Sequence, residues 1–79
     1  MYYVYILKHP TEERIYIGFT TDLRKRMIEH KRIHPQWRLA YYEAYASEVD
    51  ARERERRLKN YGNVKQLLKK RIMRSLQIV

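Results

Sequence analysis

The 79-residue sequence has no cysteine, two glycines and two prolines, and these scarcities exclude several kinds of chemistry. Without cysteine there is no disulfide, no thiolate metal centre and no thiol nucleophile. Gly18 and Gly62 stand too far apart to form a glycine-rich phosphate-binding loop. Ser47 and Ser75 are the only serines, and neither lies in a glycine-flanked nucleophile elbow. A hydrolase of this composition would need a metal ion.

Long apolar stretches are also missing. The longest uncharged apolar run covers residues 2–7, far short of the ~20 residues that a membrane-spanning helix requires. The N-terminus has no basic stretch followed by an apolar one, as a secretory signal would have. We therefore expect a soluble cytoplasmic protein with no membrane association. Because a chain of this length holds only one core, we expect a single domain over residues 1–79.

Acidic residues are outnumbered by basic ones. The chain has 18 Lys and Arg against 9 Asp and Glu, which gives a formal net charge of +9. This charge favours a polyanionic partner, with nucleic acid ahead of an anionic membrane surface. Hydrophobic residues make up 44% of the chain and there are eight tyrosines, so the composition supports a folded core.

The first half of the chain predicts a hairpin, a helix and a third strand. Residues 2–7 and 14–19 are rich in aromatic and β-branched side chains, and a polar segment with Pro10 joins them. Apolar residues then take helical spacing over residues 22–34, and residues 37–45 return to strand composition. The residues that set the helical spacing are Leu23, Met27 and Ile33. Those expected on one face of the third strand are Leu39, Tyr41 and Tyr45.

The second half predicts two helices. Ser47 and Asp50 resemble a capping box, and good helix formers continue to Asn60. Gly62 fits a helix stop. The last helix has one apolar stripe, formed by Val64, Leu67, Leu68, Ile72 and Leu76. The order β-β-α-β-α-α indicates an α+β fold with a three-stranded antiparallel sheet flanked by helices, in which a crossover leaves the first strand in the middle.

An ordered set of residues runs through these elements. In chain order it is Tyr3, Val4 and Tyr5; Tyr16, Ile17, Gly18, Phe19 and Thr20; Asp22, Leu23, Arg26 and His30; and Ala51, Glu55 and Lys59. The set resembles the GIY-YIG nuclease superfamily, and within it the small stand-alone bacterial proteins predicted to be endonucleases. The resemblance covers almost the whole chain. It implies a small antiparallel sheet with helices around it and metal-dependent cleavage of DNA phosphodiester bonds, with one divalent ion, Mg²⁺ or Mn²⁺, held by the glutamate. No small-molecule cofactor is expected.

Helical periodicity singles out one cation. Arg26 falls on the same side of its helix as the apolar residues, whereas Arg24 and Lys25 fall away from it. Periodicity alone supports two interpretations of Arg26 about equally. It is either an arginine at the edge of a core, or a guanidinium placed for bidentate contact with a scissile phosphate. The resemblance favours phosphate binding. His30 follows one turn later; a lone histidine is more often a packing residue, and the resemblance places it in the site.

Position on the helix or strand distinguishes the expected roles of three acidic residues. Glu55 lies near the apolar arc of its helix and is the expected metal ligand, since Mg²⁺ often takes only one or two protein carboxylates. Its alternative role is an ion pair with Arg26 or Lys59. Glu53 projects to the opposite side as a salt-bridged surface residue. Glu43, among strand aromatics, is expected to form an ion pair at the sheet edge rather than to act in catalysis.

Two tyrosines complete the expected site. Tyr5 and Tyr16 lie on neighbouring strands, and Tyr16 shares its face with Gly18, whose missing side chain would leave room for a phosphate. Most tyrosines in such a sheet serve as packing aromatics, and the motif position alone distinguishes these two. A phenol has an ordinary pKa of about 10, so a tyrosine acting as general base needs a nearby cation or metal. We expect Tyr16 to activate water and Tyr5 to be its hydrogen-bonding partner.

The sequence departs from the wider family at its first motif, where Tyr3 replaces a glycine, and Phe19 or Thr20 stands where some members carry a lysine. A non-catalytic nucleic-acid-binding module on the same scaffold is therefore the alternative to a DNA endonuclease acting in repair or processing. An RNA- or ribosome-associated basic protein is a third interpretation, which leaves the ordered motif unexplained. We expect no appended recognition domain, so that specificity would come from a targeting partner, an oligomer or DNA structure.

Overall fold

The three predicted strands form one antiparallel sheet with helices around it. The structure, a computed structural model, describes residues 1–79. In chain order the elements are β1 (Tyr2–Lys8), β2 (Ile15–Thr20), α1 (Leu23–Ile33), β3 (Arg38–Tyr45), α2 (Glu48–Asn60), α3 (Gly62–Arg71) and α4 (Met73–Ile78). No helix is both long enough and apolar enough to cross a membrane.

Strand β1 lies at the centre of the sheet, in the order β2-β1-β3, and is antiparallel to both neighbours. The hairpin places β2 on one side of β1, and α1 carries the chain to the other side, where β3 pairs. This is the crossover that the element order predicted. The α+β class and the three-stranded antiparallel sheet are confirmed.

The main core lies on one face of the sheet, beneath α2, α3 and α4. Alternate residues of the hairpin supply its sheet side, namely Val4, Ile6 and Ile17. The helices contribute Ala51, Leu58, Leu68 and Ile72. Burying an aliphatic side chain of this size stabilises a fold by roughly 1.5–3 kcal/mol. This cluster therefore holds the sheet and the three C-terminal helices together, and leaves the opposite face of the sheet to α1.

A β-bulge in β3 changes the face of the sheet on which its side chains lie. Ile6 pairs with Tyr41, but the next residue of β1, Leu7, pairs with Leu39, so Ala40 is an extra residue. Leu39 therefore lies on the face opposite to Tyr41. The expectation that these two residues share a face is wrong, because one extra residue reverses the alternation along a strand.

The predicted C-terminal helix is divided in two. Helices α3 and α4 meet at Ile72, which is buried. The inward line of α3 runs through Val64, Leu68 and Ile72 at four-residue spacing. Leu67, expected in this stripe, is instead 66% exposed, because it falls to the side of that line.

Two other details of the helices differ from the sequence pattern. Gly62 does not stop α2: it is the first residue of α3, and Tyr61 caps α2 by donating its backbone N–H to the carbonyl of Arg57 at 3.0 Å. Ile33, expected in the apolar stripe of α1, is exposed. Its angular position falls outside the arc of Leu23 and Met27, which are half-buried.

Glu43 joins β3 to α2 on the core side of the sheet. Its carboxylate accepts two hydrogen bonds from Arg54, one from Nε at 2.9 Å and one from Nη2 at 3.0 Å. Tyr41 donates to the same carboxylate at 2.7 Å, and Tyr45 donates to its other oxygen. Burial would raise the pKa of Glu43, but Arg54 and the two hydroxyls hold it below its ordinary value. Glu43 thus forms the predicted ion pair, and the pair anchors α2 on the sheet.

Candidate active site

The sheet face toward α1 carries the two tyrosines of the predicted site. Tyr16 pairs in register with Leu7, and Gly18 pairs with Tyr5, so all four positions point to this face. Tyr5 is fully buried, whereas Tyr16 is 44% exposed. Their ring centroids are 6.1 Å apart. None of the residues of α1 is fully buried, so a partly open cleft lies between α1 and the sheet.

Gly18 is required by the ring of Tyr5. A Cβ atom at position 18 would collide with Cζ and the hydroxyl of Tyr5 and would come within 2.8 Å of Cε1. The expectation that the missing side chain leaves room for a phosphate is therefore wrong, because the Tyr5 ring occupies that room. The glycine lets the ring lie flat across β2 and so sets the position of the Tyr5 hydroxyl.

The Tyr5 hydroxyl meets a histidine of α1. It lies 2.9 Å from Nε2 of His30, and the His30 ring packs edge-on against Tyr16 with centroids 5.3 Å apart. Burial raises the pKa of Tyr5. Burial, together with the charge of Arg26, lowers the pKa of His30. Both side chains are therefore uncharged near pH 7, and their contact is a neutral hydrogen bond in which the imidazole nitrogen either donates or accepts according to its tautomer.

Arg26 supplies the positive charge of this cluster. Its Nη1 lies 3.5 Å from the carbonyl oxygen of Phe19, and its Nε lies 3.7 Å from Glu29. Interaction with the Tyr5 hydroxyl raises the pKa of Arg26, so the guanidinium stays charged. The side chain is 40% exposed, and Arg26 is half-buried, while the two preceding cations of α1 are exposed. The helical periodicity thus identified the one cation of the three that turns toward the sheet.

Glu55, the predicted metal ligand, lies on α2 and so on the other side of the sheet from α1. It is 19% exposed and pairs with Lys59, with 3.1 Å between Oε2 and Nζ. No hydrogen bond or ion pair joins it to the cluster under α1, which consists of Tyr5, Tyr16, Arg26 and His30. Glu53 is exposed and bonds both Arg56 and Arg57, as expected for a surface residue. The structure therefore groups four of the five predicted site residues and joins Glu55 to none of them by a hydrogen bond or an ion pair.

Phe19 lies at the edge of the sheet, between α2, which carries Glu55, and α1, which carries Arg26 and His30. Strand β2 is an edge strand, and the guanidinium of Arg52 on α2 lies 4.1 Å from the centroid of the Phe19 ring. From the other side, Arg26 approaches the Phe19 carbonyl. The edge of β2 at Phe19 is therefore contacted by α2 through Arg52 and by α1 through Arg26.

A cavity beside the cluster was not predicted from the sequence. Its volume is about 430 Å³, and its walls include Tyr16, His30, Trp37, His9 and Arg14. The last three residues come from two separate loops, which no short-range pattern relates. Their only sequence signal is their type, since aromatic, imidazole and guanidinium side chains are common contacts of nucleic acids.

Comparison with known proteins gives the family. Residues 1–69 match the model of the GIY-YIG catalytic domain, a range that includes every residue of the predicted site. The match extends over most of the chain, and the protein belongs to the GIY-YIG family, which is a family of nucleases. No curated protein and no solved structure gave a significant match.

Proposed function

We propose that this protein is an endonuclease that hydrolyses DNA phosphodiester bonds with the help of a divalent ion, Mg²⁺ or Mn²⁺, in DNA repair or processing. The observation that carries the proposal is the cluster of Tyr5, Tyr16, Arg26 and His30 in a partly open cleft. Membership of a nuclease family supports hydrolysis. The net charge of +9 supports a nucleic acid substrate.

In this proposal each side chain of the cluster has a separate task. Arg26 binds a non-bridging oxygen of the scissile phosphate and stabilises the negative charge that grows there. Tyr16, the exposed phenol, orients the attacking water, and the contact between Tyr5 and His30 gives its proton a path away. The water oxygen forms a new bond to phosphorus while the opposite P–O bond breaks, and the leaving oxygen takes up a proton.

Glu55 is the residue that would hold the divalent ion. The chain gathers no group of three or more His, Asp or Glu side chains, but Mg²⁺ commonly uses one or two carboxylates and completes its shell with water and phosphate oxygens. Glu55 fits this requirement, because its carboxylate is partly exposed and its partner Lys59 is a flexible, half-exposed side chain. When bound, the ion would neutralise phosphate charge and lower the pKa of a bound water.

A nucleic-acid-binding module without cleavage is the alternative function. The observation that favours it is that the carboxylate of Glu55 pairs with Lys59 and with no residue of the cluster under α1. Charge does not distinguish the two functions, since the release of counterions from DNA drives binding in both.

Cleavage assays distinguish them. Purified protein is incubated with labelled single-stranded, flapped, bulged and duplex DNA, each with Mg²⁺, with Mn²⁺ and with chelator. We expect nicking that depends on the ion, that is lost in Arg26→Ala and that remains in Arg24→Ala, which excludes a contaminating nuclease. Binding without cleavage under every condition would reject the endonuclease in favour of the binding module.

A further inference from the structure

The cavity beside Tyr16 and His30 bears on the kind of DNA that the site accepts. It lies between the hairpin loop and the segment that joins α1 to β3, with Leu7 on its sheet side. Two of its wall residues, Tyr16 and His30, also belong to the candidate active site. A group bound in the cavity would therefore adjoin the phosphate held at that site.

Trp37 and His9 form the outer wall, and hydrogen bonds hold the His9 ring in place. Their rings are nearly perpendicular, with centroids 5.4 Å apart. Nδ1 of His9 accepts the backbone N–H groups of Thr11 and Glu12 at 3.3 and 3.2 Å. Since Nδ1 accepts, the proton of the neutral ring lies on Nε2, which donates to Oε1 of Gln36 at 3.2 Å. These contacts join the two loops, so the aromatic wall exists before a ligand arrives.

A cation stands at the mouth of the cavity. The guanidinium carbon of Arg14 lies 5.6 Å from the centroid of the Trp37 ring, and the side chain is 66% exposed. It pairs with Glu12 at 3.0 Å, but no Asp or Glu lines the cavity itself. Flat aromatic walls with one cation at the entrance match a nucleobase and its adjoining phosphate.

We propose that this cavity binds one unpaired nucleobase of the DNA substrate, next to the bond that is cut. The inference rests on the proposed nuclease function, because it places the base beside the scissile phosphate. The volume of about 430 Å³ falls within the usual range for ligand sites. A base stacked inside a duplex cannot enter such a slot, so the protein prefers DNA that carries an unpaired nucleotide.

Binding of bulged DNA in the presence of chelator tests this inference without cleavage. The probe is a duplex with a single unpaired 2-aminopurine nucleotide, compared with the same duplex carrying an abasic bulge. We expect roughly 10-fold tighter binding of the base-bearing bulge, from stacking on aromatic side chains. We also expect the fluorescence of 2-aminopurine to be quenched on binding.

Variants of the cavity wall test which residues cause the preference for the base-bearing bulge and the fluorescence quenching. Trp37→Ala should abolish both the preference and the quenching, while Trp37→Phe retains most of each. Arg14→Gln changes an exposed side chain, so the fold is kept, and it should weaken binding of the bulged duplex more than binding of the paired duplex. Tyr61→Ala is the matched control, because Tyr61 is an exposed aromatic far along the chain from the cavity, and it should change neither readout.

The outcomes separate this inference from the proposed function. Equal affinity for the base-bearing and abasic bulges would overturn the nucleobase site even if the protein cuts DNA. A preserved, Trp37-dependent preference in a protein that cuts no DNA would keep the nucleobase site and reject the nuclease. Failure to bind any of these duplexes would overturn both.

Discussion

The Tyr5 hydroxyl and Nε2 of His30 lie 2.9 Å apart, and this contact ties the buried central strand to a helix that has no fully buried residue of its own. Tyr5 is fixed by burial in β1, and His30 belongs to α1, which also carries Arg26. The contact therefore aligns the helix that presents the guanidinium with the strand that presents the phenol. The packing of α1 on the sheet and the proposed proton transfer therefore both depend on this one contact.

Tyr5→Phe removes this contact and leaves the ring in place. Loss of one neutral hydrogen bond should lower the free energy of unfolding by about 1 kcal/mol. If the pair carries a proton during hydrolysis, single-turnover cleavage should fall by roughly 100-fold. Urea denaturation and cleavage at saturating protein measure the two effects separately. An unchanged cleavage rate in the less stable variant would make the contact purely structural.

Gly18→Ala is expected to displace the Tyr5 ring. The new Cβ would overlap Cζ and the hydroxyl of Tyr5, and the Tyr5 ring is fully buried. Overpacking of this kind costs about 1–3 kcal/mol, and the displaced hydroxyl would also lose His30. Gly62→Ala is the control, since a Cβ there meets nothing within 4 Å. Urea denaturation should show a clear loss for the first variant and none for the second.

Much of the cluster under α1 follows from the sequence because its residues lie in regular elements. Alternation along β2 places Tyr16 and Gly18 on one face, and helical spacing turns Arg26 and His30 toward the sheet. The sequence does not reveal that Tyr5 fills the space above Gly18. That contact depends on the exact register of β1 against β2, which places the two residues opposite each other.

Other features depend on tertiary pairing and have no local signal. The bulge at Ala40 exists only in relation to β1, so the composition of β3 does not predict it. The apolar arc of α2 predicts the orientation of Glu55, but the face of the sheet that α2 covers is set by tertiary packing. The wall of Trp37 and His9 forms where two loops meet, a contact that neither loop sequence specifies.

Glu43→Gln should lower stability in a pH-dependent way. The pKa of Glu43 is held below its ordinary value of 4.5 in the folded state. Its contribution is therefore present above about pH 4.5 and is lost as the pH falls through the lowered native value. Removing the charge opposite the half-buried Arg54 should cost roughly 2 kcal/mol near neutral pH, as for a hydrogen-bonded charged group.

Urea denaturation from pH 2 to pH 7 tests this prediction. The difference in stability between parent and Glu43→Gln should shrink as the solution becomes acidic. Glu53→Gln is the control, because the Glu53 side chain is 45% exposed and its ion pairs with two exposed arginines are screened by salt. A constant difference across the pH range would show that Glu43 contributes through packing rather than through its charge.

Glu55→Gln should abolish cleavage and leave DNA affinity unchanged or slightly raised. The substitution removes the carboxylate that the divalent ion requires, and it removes one negative charge from the surface of a basic protein. Glu53→Gln makes the same change of charge on the same helix and should keep full cleavage activity. Cleavage with Mg²⁺ and DNA binding with chelator measure the two properties. Full activity in Glu55→Gln, or loss of activity in Glu53→Gln, would show that the metal ligand is misassigned.

Three neighbouring cations of α1 test whether the helix acts in catalysis or only attracts DNA. Arg24, Lys25 and Arg26 carry the same formal charge, so a purely electrostatic role predicts similar, modest losses of DNA binding for the three alanine variants. Only Arg26 is half-buried, and its Nη1 lies 3.5 Å from the Phe19 carbonyl oxygen. Its guanidinium is therefore the only one of the three that the structure holds in place.

Arg26→Ala should reduce single-turnover cleavage by roughly 100-fold, as expected for loss of one preorganised charge contact in the transition state, about 3 kcal/mol. Arg24→Ala and Lys25→Ala should cut at nearly the parent rate once DNA is saturated with protein. Arg26→Lys should recover little activity, because an ammonium group does not reproduce a two-pronged contact with phosphate. Circular dichroism checks that all four variants are folded. Equal rates across the three alanine variants would show that α1 acts only through its positive charge, and would favour the non-catalytic binding module.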